Sequence, residues 1–158
     1  MSNRVFLDSS ILVEYYKGTK TDLLESLLLE IPETRLFICQ TTLSEYFFQC
    51  LKTDSGKAPL TVKSSGKIAE ALSSTDHREF LSLFEYLSDG ESLCQMCPEM
   101  MSKHNLLPND ALVLSICKLN GINILASYDA NDFKKACDKE NITLLQTLAD
   151  WEDFKKVK

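Results

Sequence analysis

The fold class of this 158-residue chain is decided near its N-terminus, by the segment Val5-Phe6-Leu7-Asp8-Ser9-Ser10-Ile11-Leu12. Arg4 to Leu7 is a short, mainly apolar run that ends in an acid, which is the pattern of a buried strand that stops at Asp8. Apolar residues then recur at helical spacing from Ser9 to Lys17, and Gly18 closes that pattern. The segment therefore predicts a buried strand that passes directly into a helix.

The same alternation of strand and helix returns along the chain. Further strands are predicted at Leu36–Cys39, Asn123–Ser127 and Ile142–Leu145. Short, nearly all-apolar strands separated by helices indicate a parallel sheet covered on both faces, which places the chain in the α/β class. The region from Thr53 to Gly66 is predicted to be a loop. Helices are predicted at Ser9–Lys17, around Leu23–Leu28, and at Thr41–Lys52, Ile68–Leu72, Arg78–Leu87, Ser92–His104, Asn109–Asn120 and Asn131–Glu140.

The composition is that of an ordinary globular domain. Hydrophobic residues make up 44% of the chain, and 17 Lys plus Arg stand against 23 Asp plus Glu, for a net charge of −6. A surface that binds nucleic acid by charge alone is usually basic, so this balance argues against a bulk phosphate-binding protein. It does not argue against a nucleic-acid enzyme whose acids hold metal. The length fits a single domain over residues 1–158.

Membrane and secretory segments are not expected. No apolar run approaches the ~20 residues that cross a bilayer, and Asp8 interrupts any signal-peptide core. We therefore expect a soluble, cytoplasmic protein with no membrane partner, in which the cysteines stay reduced. The six cysteines are Cys39, Cys50, Cys94, Cys97, Cys117 and Cys137.

Five acidic residues occupy places where predicted strands end or helices begin. Because the carboxyl ends of parallel strands meet at one edge of a sheet, we expect these side chains to crowd the same rim. Carboxylates within ~4–6 Å of one another repel, which raises the pKa of at least one unless a cation neutralises them. The residues are Asp8, Glu45, Asp110, Asp129 and Asp132.

Each acid taken singly also fits a structural role at a helix N-terminus. Asp8 and Asp129 would serve as N-caps, and Asp110 would interact with the helix dipole. Glu45, which we place in the first turn of its helix, would reach back in a capping box begun by Thr42. Capping is the default for any one acid, and only their occurrence together favours a shared site.

Hard divalent cations are the natural partners of such a cluster. Mg²⁺ and Mn²⁺ suit carboxylate and water ligands, and no histidine or cysteine lies among these positions to favour zinc. Two such ions can activate a water and stabilise the leaving oxygen in phosphodiester hydrolysis. The cluster therefore predicts a site for Mg²⁺ or Mn²⁺, with one or two ions.

Four segments of the sequence, in their order along the chain, resemble the PIN domain family, and especially its VapC-like toxin ribonucleases. The first two segments are Val5–Leu12 and Thr42–Glu45. The third is Leu107–Leu112, and the fourth runs from Ile124 to Phe133. The resemblance spans nearly the whole chain, apart from the region 53–104, which matches nothing sharply.

The resemblance implies a three-layer α/β/α sandwich on a central parallel sheet of four or five strands. It also implies a metal-dependent endoribonuclease that cleaves single-stranded RNA and leaves a 3′-hydroxyl and a 5′-phosphate. A cognate antitoxin protein would inhibit the ribonuclease in the cell. Members of this kind also usually pair as homodimers.

The resemblance also implies roles for individual residues. Asp8 and Asp110 would hold the main ion with help from Asp129. Glu45 would help to hold a second ion or orient the attacking water, as a general base. Asp132, Ser10 and Ser127 would support the site, and the two serines fall where the family often has a small polar residue near the metal.

A basic island interrupts the acidic chain between Lys52 and Lys67. Its four lysines and one acid, Asp54, give this stretch a local charge of +3. Lysines bind phosphates without recognising the base sequence, so the island is a candidate RNA contact. A run of charges is more often simply a solvent-exposed surface. The lysines are Lys52, Lys57, Lys63 and Lys67.

Two other functions fit the same pattern less well. One is a non-catalytic or non-toxin PIN-fold module for RNA binding or processing. A module without catalysis would usually lack one of the four main acids, and all four are present. A phosphoacceptor signalling domain is also a parallel α/β fold with an acidic pocket. It needs a lysine just after a late strand, where Ser127-Tyr128-Asp129 stands here. No motif encodes the RNA target.

Overall fold

The computed structural model describes residues 2–88 and 90–157, and in that part of the chain five short strands form one parallel sheet. The strands are β1 (Asn3–Leu7), β2 (Thr34–Cys39), β3 (Glu85–Leu87), β4 (Ile124–Ala126) and β5 (Thr143–Leu145). They lie in the order β3-β2-β1-β4-β5, so β1 is the central strand. The predicted parallel α/β architecture is confirmed, with five strands.

Helices connect the strands and cover both faces of the sheet. Those in the described residues are α1 (Ser9–Lys17), α2 (Asp22–Leu29), α3 (Gln40–Ser55), α4 (Pro59–Ser64), α5 (Ile68–Leu72), α6 (His77–Leu81), α7 (Leu93–His104), α8 (Pro108–Leu119), α9 (Ala130–Glu140) and α10 (Leu148–Lys156). Across residues 2–88 and 90–157, every helix falls short of the length and apolar character that a membrane span requires.

Alternate residues of each strand point to opposite sides of the sheet and build two separate cores. On β1, Val5 and Leu7 join the first core, while Phe6 between them joins the second. This period of two follows from the pleat of the strand. The first core contains side chains of α1, α2, α3 and α10, and the second contains side chains of α7, α8 and α9. The result is the three-layer α/β/α arrangement.

The region predicted as a loop contains helical structure. Helix α3 continues to Ser55, and α4 lies within the predicted loop 53–66. Pro59 begins α4, where its missing N–H leaves no intrahelical bond unmade. Val62 is the buried residue of this short helix, so the helix has too little apolar periodicity to be recognised from the sequence.

Strand β3 replaces the second half of the helix predicted over 78–87. Its three residues include exposed Glu85 and Tyr86, so it lacks the continuous apolar run of the other strands. It pairs with β2 in parallel register, and the Arg35 guanidinium donates to Glu85 across the pair, with 2.7 Å from Nε to Oε1. Edge position and cross-strand pairing therefore form this strand, rather than its own burial.

The structure also adds helix α10, beyond the last element that the sequence pattern predicted. Thr147 accepts a hydrogen bond from the Asp150 backbone N–H at 3.2 Å, and the Asp150 carboxylate accepts the Thr147 N–H at 2.9 Å. This reciprocal capping box begins the helix. Trp151 is then fully buried in the first core, which fixes the helix against the sheet.

A buried charge cluster holds the second helical layer together. The side chain of Glu140, at the end of α9, is only 2% exposed. Its carboxylate lies 2.6 Å from the Lys103 ammonium and 2.6 Å from Nε2 of His104, and it also accepts a hydrogen bond from Lys118. Burial alone would raise the pKa of Glu140, but these three donors outweigh it and lower the pKa to about 2. The cluster links α7, α8 and α9 through one carboxylate.

We expect Glu140→Gln to lower the free energy of unfolding at pH 7 by about 2–3 kcal/mol, because it removes the buried carboxylate that pairs with the partly exposed Lys103 and Lys118. A carboxyl whose folded pKa lies below its unfolded value stabilises the fold above that unfolded value, 4.5, and loses the contribution as the pH falls towards 2. The difference from wild type should therefore narrow between pH 5 and pH 3 in urea denaturation. Glu152→Gln, which removes an exposed ion pair with Lys155, is the control. Equal losses in the two variants at pH 7 would contradict the expectation.

Candidate active site

The central strand and β4 end side by side at one edge of the sheet. Leu7 pairs with Ala126 at the end of the two strands, and the backbone N–H of Asp8 still donates to the carbonyl of Ala126 at 3.0 Å. From β1 the chain connects outward to β2 on one side, and β4 pairs on the other, so the strand order reverses here. In open parallel sheets this is the place where a ligand-binding crevice forms.

Asp8 lies at the bottom of this crevice and is 4% exposed. One of its carboxylate oxygens, Oδ2, accepts hydrogen bonds from Ser10 Oγ at 2.7 Å and from Ser127 Oγ at 2.8 Å. Burial raises the pKa of Asp8 and the two serine hydroxyls lower it, while the charges of Asp129 and Glu45 add to the rise. Asp8 is therefore a buried carboxyl whose ionised form is disfavoured by its surroundings and held by two hydroxyls.

The two serines connect Asp8 to the opposite side of the crevice. Ser127 Oγ accepts the backbone N–H of Asp129 at 3.0 Å, and Ser10 Oγ accepts the backbone N–H of Tyr128 at 3.0 Å. Because each hydroxyl donates to Asp8 and accepts from the turn after β4, the turn is fixed relative to the start of α1. The serines thus place Asp129 as well as Asp8.

Glu45 reaches the crevice from the second turn of α3. Its Oε2 accepts a hydrogen bond from Ser9 Oγ at 2.6 Å, and its Oε1 accepts one from Asn109 Nδ2 at 2.5 Å. Ser9 and Asn109 are neighbours in sequence of Asp8 and Asp110. The carboxylate is therefore held between the start of α1 and the start of α8.

Two further acids complete the rim. Asp110 is half-buried in the first turn of α8, and its pKa is raised to about 6 by burial first and then by the charges of Asp132, Asp8, Asp129 and Glu45. Burial also raises the pKa of Asp129, the Asp132 and Glu45 charges raise it further, and Lys20 opposes the rise. The mutual repulsion expected from the sequence is present in the structure.

The capping alternative holds for one acid of the four. Asp8 is the N-cap of α1 and its side chain accepts the N–H of Ser10 at 3.4 Å. Glu45 is not in a first turn, because α3 begins at Gln40 directly after β2, and no side chain caps that helix. Neither Asp110 nor Asp129 makes a side-chain cap in the described residues. Asp110 nevertheless lies in the first turn of α8, as the helix-dipole role expected of it requires. Side-chain capping does not account for the positions of Glu45 and Asp129.

One cleft of about 630 Å³ contains all four carboxylates. Its walls include Phe48, which is 56% exposed and lies one helical turn after Glu45 on α3. Sequence reasoning did not single out Phe48, Ser9 or Asn109. The spacing from Glu45 to Phe48, and the adjacency of the two polar residues to predicted site acids, were the available clues. Asp132 lines a neighbouring groove that shares Asp110 with the cleft.

The oxygens of this cleft suit a hard divalent cation. Neighbouring carboxylates contribute to the raised pKa of Asp8, Asp110 and Asp129, and a bound cation would replace that repulsion with attraction. Within residues 2–88 and 90–157, no three acidic, histidine or cysteine side chains form a ready-made ion site as they stand. The Glu45 carboxylate is instead bound to Ser9 and Asn109. The chemistry of the donor set fits Mg²⁺ or Mn²⁺.

The basic island does not border this cleft. Lys57 and Lys67 line a separate depression of about 260 Å³ together with Asp54 and Glu70. Lys67 also forms an exposed ion pair with Glu70 at 4.0 Å. The other two lysines, Lys52 and Lys63, are exposed on α3 and α4. RNA contact by the island stays a prediction.

The family model of the PIN domain matches residues 5–139 of the chain. Ribonuclease VapC2 of Methanocaldococcus jannaschii is 32% identical over 135 residues, which cover 84% of this chain and 89% of that protein. Ribonuclease VapC6 of the same organism is 26% identical over 144 residues, which cover 84% of this chain and 92% of that protein.

Solved structures share the fold. A toxin–antitoxin complex from Klebsiella pneumoniae has a TM-score of 0.55 at 17% identity, over 82% of this chain and 89% of that one. VapBC2 from Rickettsia felis, bound to a promoter DNA fragment, has a TM-score of 0.60 at 17% identity, over 90% and 97% of the two chains. VapBC-1 from nontypeable Haemophilus influenzae has a TM-score of 0.58 at 15% identity, over 90% and 96%.

We expect Asp110→Asn to stabilise the fold at pH 7.5. A carboxyl whose folded pKa of about 6 exceeds its unfolded value of 3.8 costs stability as the pH rises through that interval. The free energy of unfolding should rise by about 1 kcal/mol. The whole pKa shift of Asp110 corresponds to a larger change, but solvent screens part of it because the side chain is only half-buried. The gain should shrink at pH 5, as measured by thermal denaturation in EDTA. Asp138→Asn, which replaces an exposed acid of α9, is the control. Equal melting temperatures for both variants at pH 7.5 would contradict a raised pKa for Asp110.

Proposed function

The chain belongs to the PIN domain family, and from that membership we propose that it is an endoribonuclease that uses Mg²⁺ or Mn²⁺ to cleave single-stranded RNA. The observation that carries the proposal is the single cleft that contains Asp8, Glu45, Asp110 and Asp129. Two relatives of this chain bear the name ribonuclease. The cleft supplies what phosphodiester hydrolysis with a divalent ion needs, which is a cluster of carboxylate oxygens open to a substrate.

Asp8, Asp110 and Asp129 are the residues that would hold the ion. When bound there, the ion supplies positive charge that stabilises the phosphate oxygens and makes water a better nucleophile. Ser10 and Ser127 donate to Asp8 Oδ2, so they orient this carboxylate and help to keep it ionised. Asp132 adds negative charge beside Asp110 and Asp129 and supports the same end of the cleft.

Glu45 would orient the attacking water and accept its proton, or share in holding a second ion. Ser9 and Asn109 each donate to one of its oxygens, which fixes the carboxylate plane. A general base must lie within hydrogen-bond reach of the proton that it removes. Two donors from different helices keep Glu45 at the rim of the cleft, where water and substrate enter.

We also propose that the chain acts in the cytoplasm as the toxin of a toxin–antitoxin pair. The solved structures that share its fold are described as a toxin–antitoxin complex and as VapBC proteins. Ionised carboxylates in an open cleft offer bidentate partners to an arginine of another protein. An antitoxin that inserts an arginine there would block the ion and the substrate together.

A homodimer is the proposed assembly, with the helices near the N-terminus as its candidate interface. Leu29 and Ile31 at the end of α2 are 85% and 45% exposed. Neighbouring exposed apolar residues of this kind are typical of protein–protein contacts.

The non-catalytic alternative, an RNA-binding or processing module, is less well supported. All four main acids are present, and two of them, Glu45 and Asp129, make no capping hydrogen bond in the described structure. Carboxylates that repel one another cost stability, so a module without catalysis would gain by losing one.

Asp8→Asn should lower cleavage of a labelled single-stranded RNA pool in Mn²⁺ by about a hundredfold or more, because it removes the charge of a buried ion ligand. EDTA should abolish cleavage by the wild-type protein. Circular dichroism should show the variant folded, since the substitution changes little volume. Asp138→Asn is the matched control and should cleave as the wild type does. Cleavage by Asp8→Asn at the wild-type rate would remove Asp8 from the site.

Asn109→Ala should lower the cleavage rate by about tenfold, because Glu45 loses the donor that fixes one of its oxygens. The melting temperature should change little, since Asn109 is exposed. Gln49→Ala serves as the control, because Gln49 lines the same cleft but makes no hydrogen bond to Glu45 among the described residues. Single-turnover rates that fall equally in both variants would show that polarity of the cleft wall, rather than the position of Glu45, is what matters.

A further inference from the structure

A second groove continues from the acidic cleft on the far side of Asp110. It has a volume of about 470 Å³, and Asp110 lines both it and the cleft. Its floor and sides come from the end of α7 and from one face of α9. A ligand that lies in the cleft at Asp110 is therefore also next to this groove.

Positive charge lines the groove away from the acids. Lys135 and Lys139 lie one helical turn apart on α9, and both side chains are exposed along the groove. Lys103 lies opposite them but is bound to Glu140 at 2.6 Å. Lys135 and Lys139, by contrast, form no ion pair within residues 2–88 and 90–157. Their charges are therefore available to a ligand.

The polarity of the groove changes along its length. Asp110 and Asp132 lie at the end that joins the cleft, and Lys135 and Lys139 follow along α9. An RNA strand carries one negative charge at each phosphate, so the carboxylates repel it everywhere except where a cation intervenes. In a chain of net charge −6, lysines beside the acidic cleft offset that repulsion for the neighbouring phosphates.

We propose that this groove binds the phosphate backbone of the RNA strand next to the scissile bond, with Lys135 and Lys139 as the phosphate contacts. The proposal rests on the ribonuclease function proposed above and extends it by naming where the substrate lies. Lysine contacts of this kind position a strand without reading its bases. The basic island is less suited to the same task, because the depression that it lines shares no residue with the cleft.

The test measures binding and cleavage separately. Binding of a labelled single-stranded RNA is measured at several salt concentrations in an Asp8→Asn parent, which binds without cutting. In that parent, Lys135→Ala with Lys139→Ala should weaken binding by about tenfold and reduce the slope of log K against log salt by about 1 to 1.5, for two single-strand phosphate contacts. With Asp8 restored, the same pair should lower cleavage at subsaturating RNA in Mn²⁺ and change the rate at saturating RNA little.

A matched double variant tests whether the position of the two lysines matters or only the loss of two positive charges. Lys134→Ala with Lys156→Ala removes the same two charges from exposed positions outside the groove, and it should leave the salt slope unchanged. Both double variants should have the melting temperature of the wild-type protein, since the substituted side chains are exposed.

Three results would overturn the proposal. Equal salt slopes for the two double variants would show that only net charge matters. A smaller salt slope for Lys57→Ala with Lys63→Ala, together with an unchanged salt slope for the groove variant, would place the RNA backbone on the basic island. If the wild-type protein neither binds nor cleaves RNA in Mn²⁺, the ribonuclease function fails and the groove assignment fails with it. The first two results leave that function intact.

Discussion

The carboxylate of Asp8 is buried at the end of the central strand, and the rest of the acidic cleft is arranged around it. Burying a charge is costly unless hydrogen bonds replace the lost water. Ser10 and Ser127 supply these bonds from two elements that are far apart in sequence. Because the same hydroxyls accept the amides of Tyr128 and Asp129, satisfying Asp8 also fixes the turn that carries Asp129. One desolvated charge thus determines the geometry on both sides of the crevice.

The two ends of α9 show how strongly the surroundings decide the state of a carboxyl group. Glu140, at the end of the helix, has three donors and a pKa lowered to about 2. Burial, and then the charges of neighbouring acids, raise the pKa of Asp129 and of the nearby Asp110. The fold therefore stabilises the ionised form of Glu140 and disfavours the ionised forms of Asp110 and Asp129. Stability given up at a site of this kind is typical of residues kept for chemistry rather than for folding.

Most of the sheet could be predicted from short-range patterns. β1, β2, β4 and β5 each contain a short run of buried or half-buried apolar residues, although Thr143 of β5 is exposed. The predicted positions of these four strands were close to those found. β3 could not be predicted, because Glu85 and Tyr86 are exposed and the strand exists through pairing with β2. Helix α4 was missed for a similar reason, since Val62 is its buried residue. Elements that depend on neighbours rather than on their own periodicity leave little trace in the sequence.

The sequence by itself determined that several acids follow strand ends in a parallel α/β chain, because a strand that is buried on both faces must be apolar and the acids interrupt that pattern sharply. Only the tertiary structure decided which polar residues serve those acids. Ser9 and Asn109 both donate to Glu45, and these contacts span 36 and 64 residues. Likewise, only the tertiary structure brought the end of α7 next to Lys135 and Lys139, along the groove that shares Asp110 with the cleft. Hydrogen bonds and charges act through space over a few ångströms, whereas sequence patterns report on residues one or two turns apart.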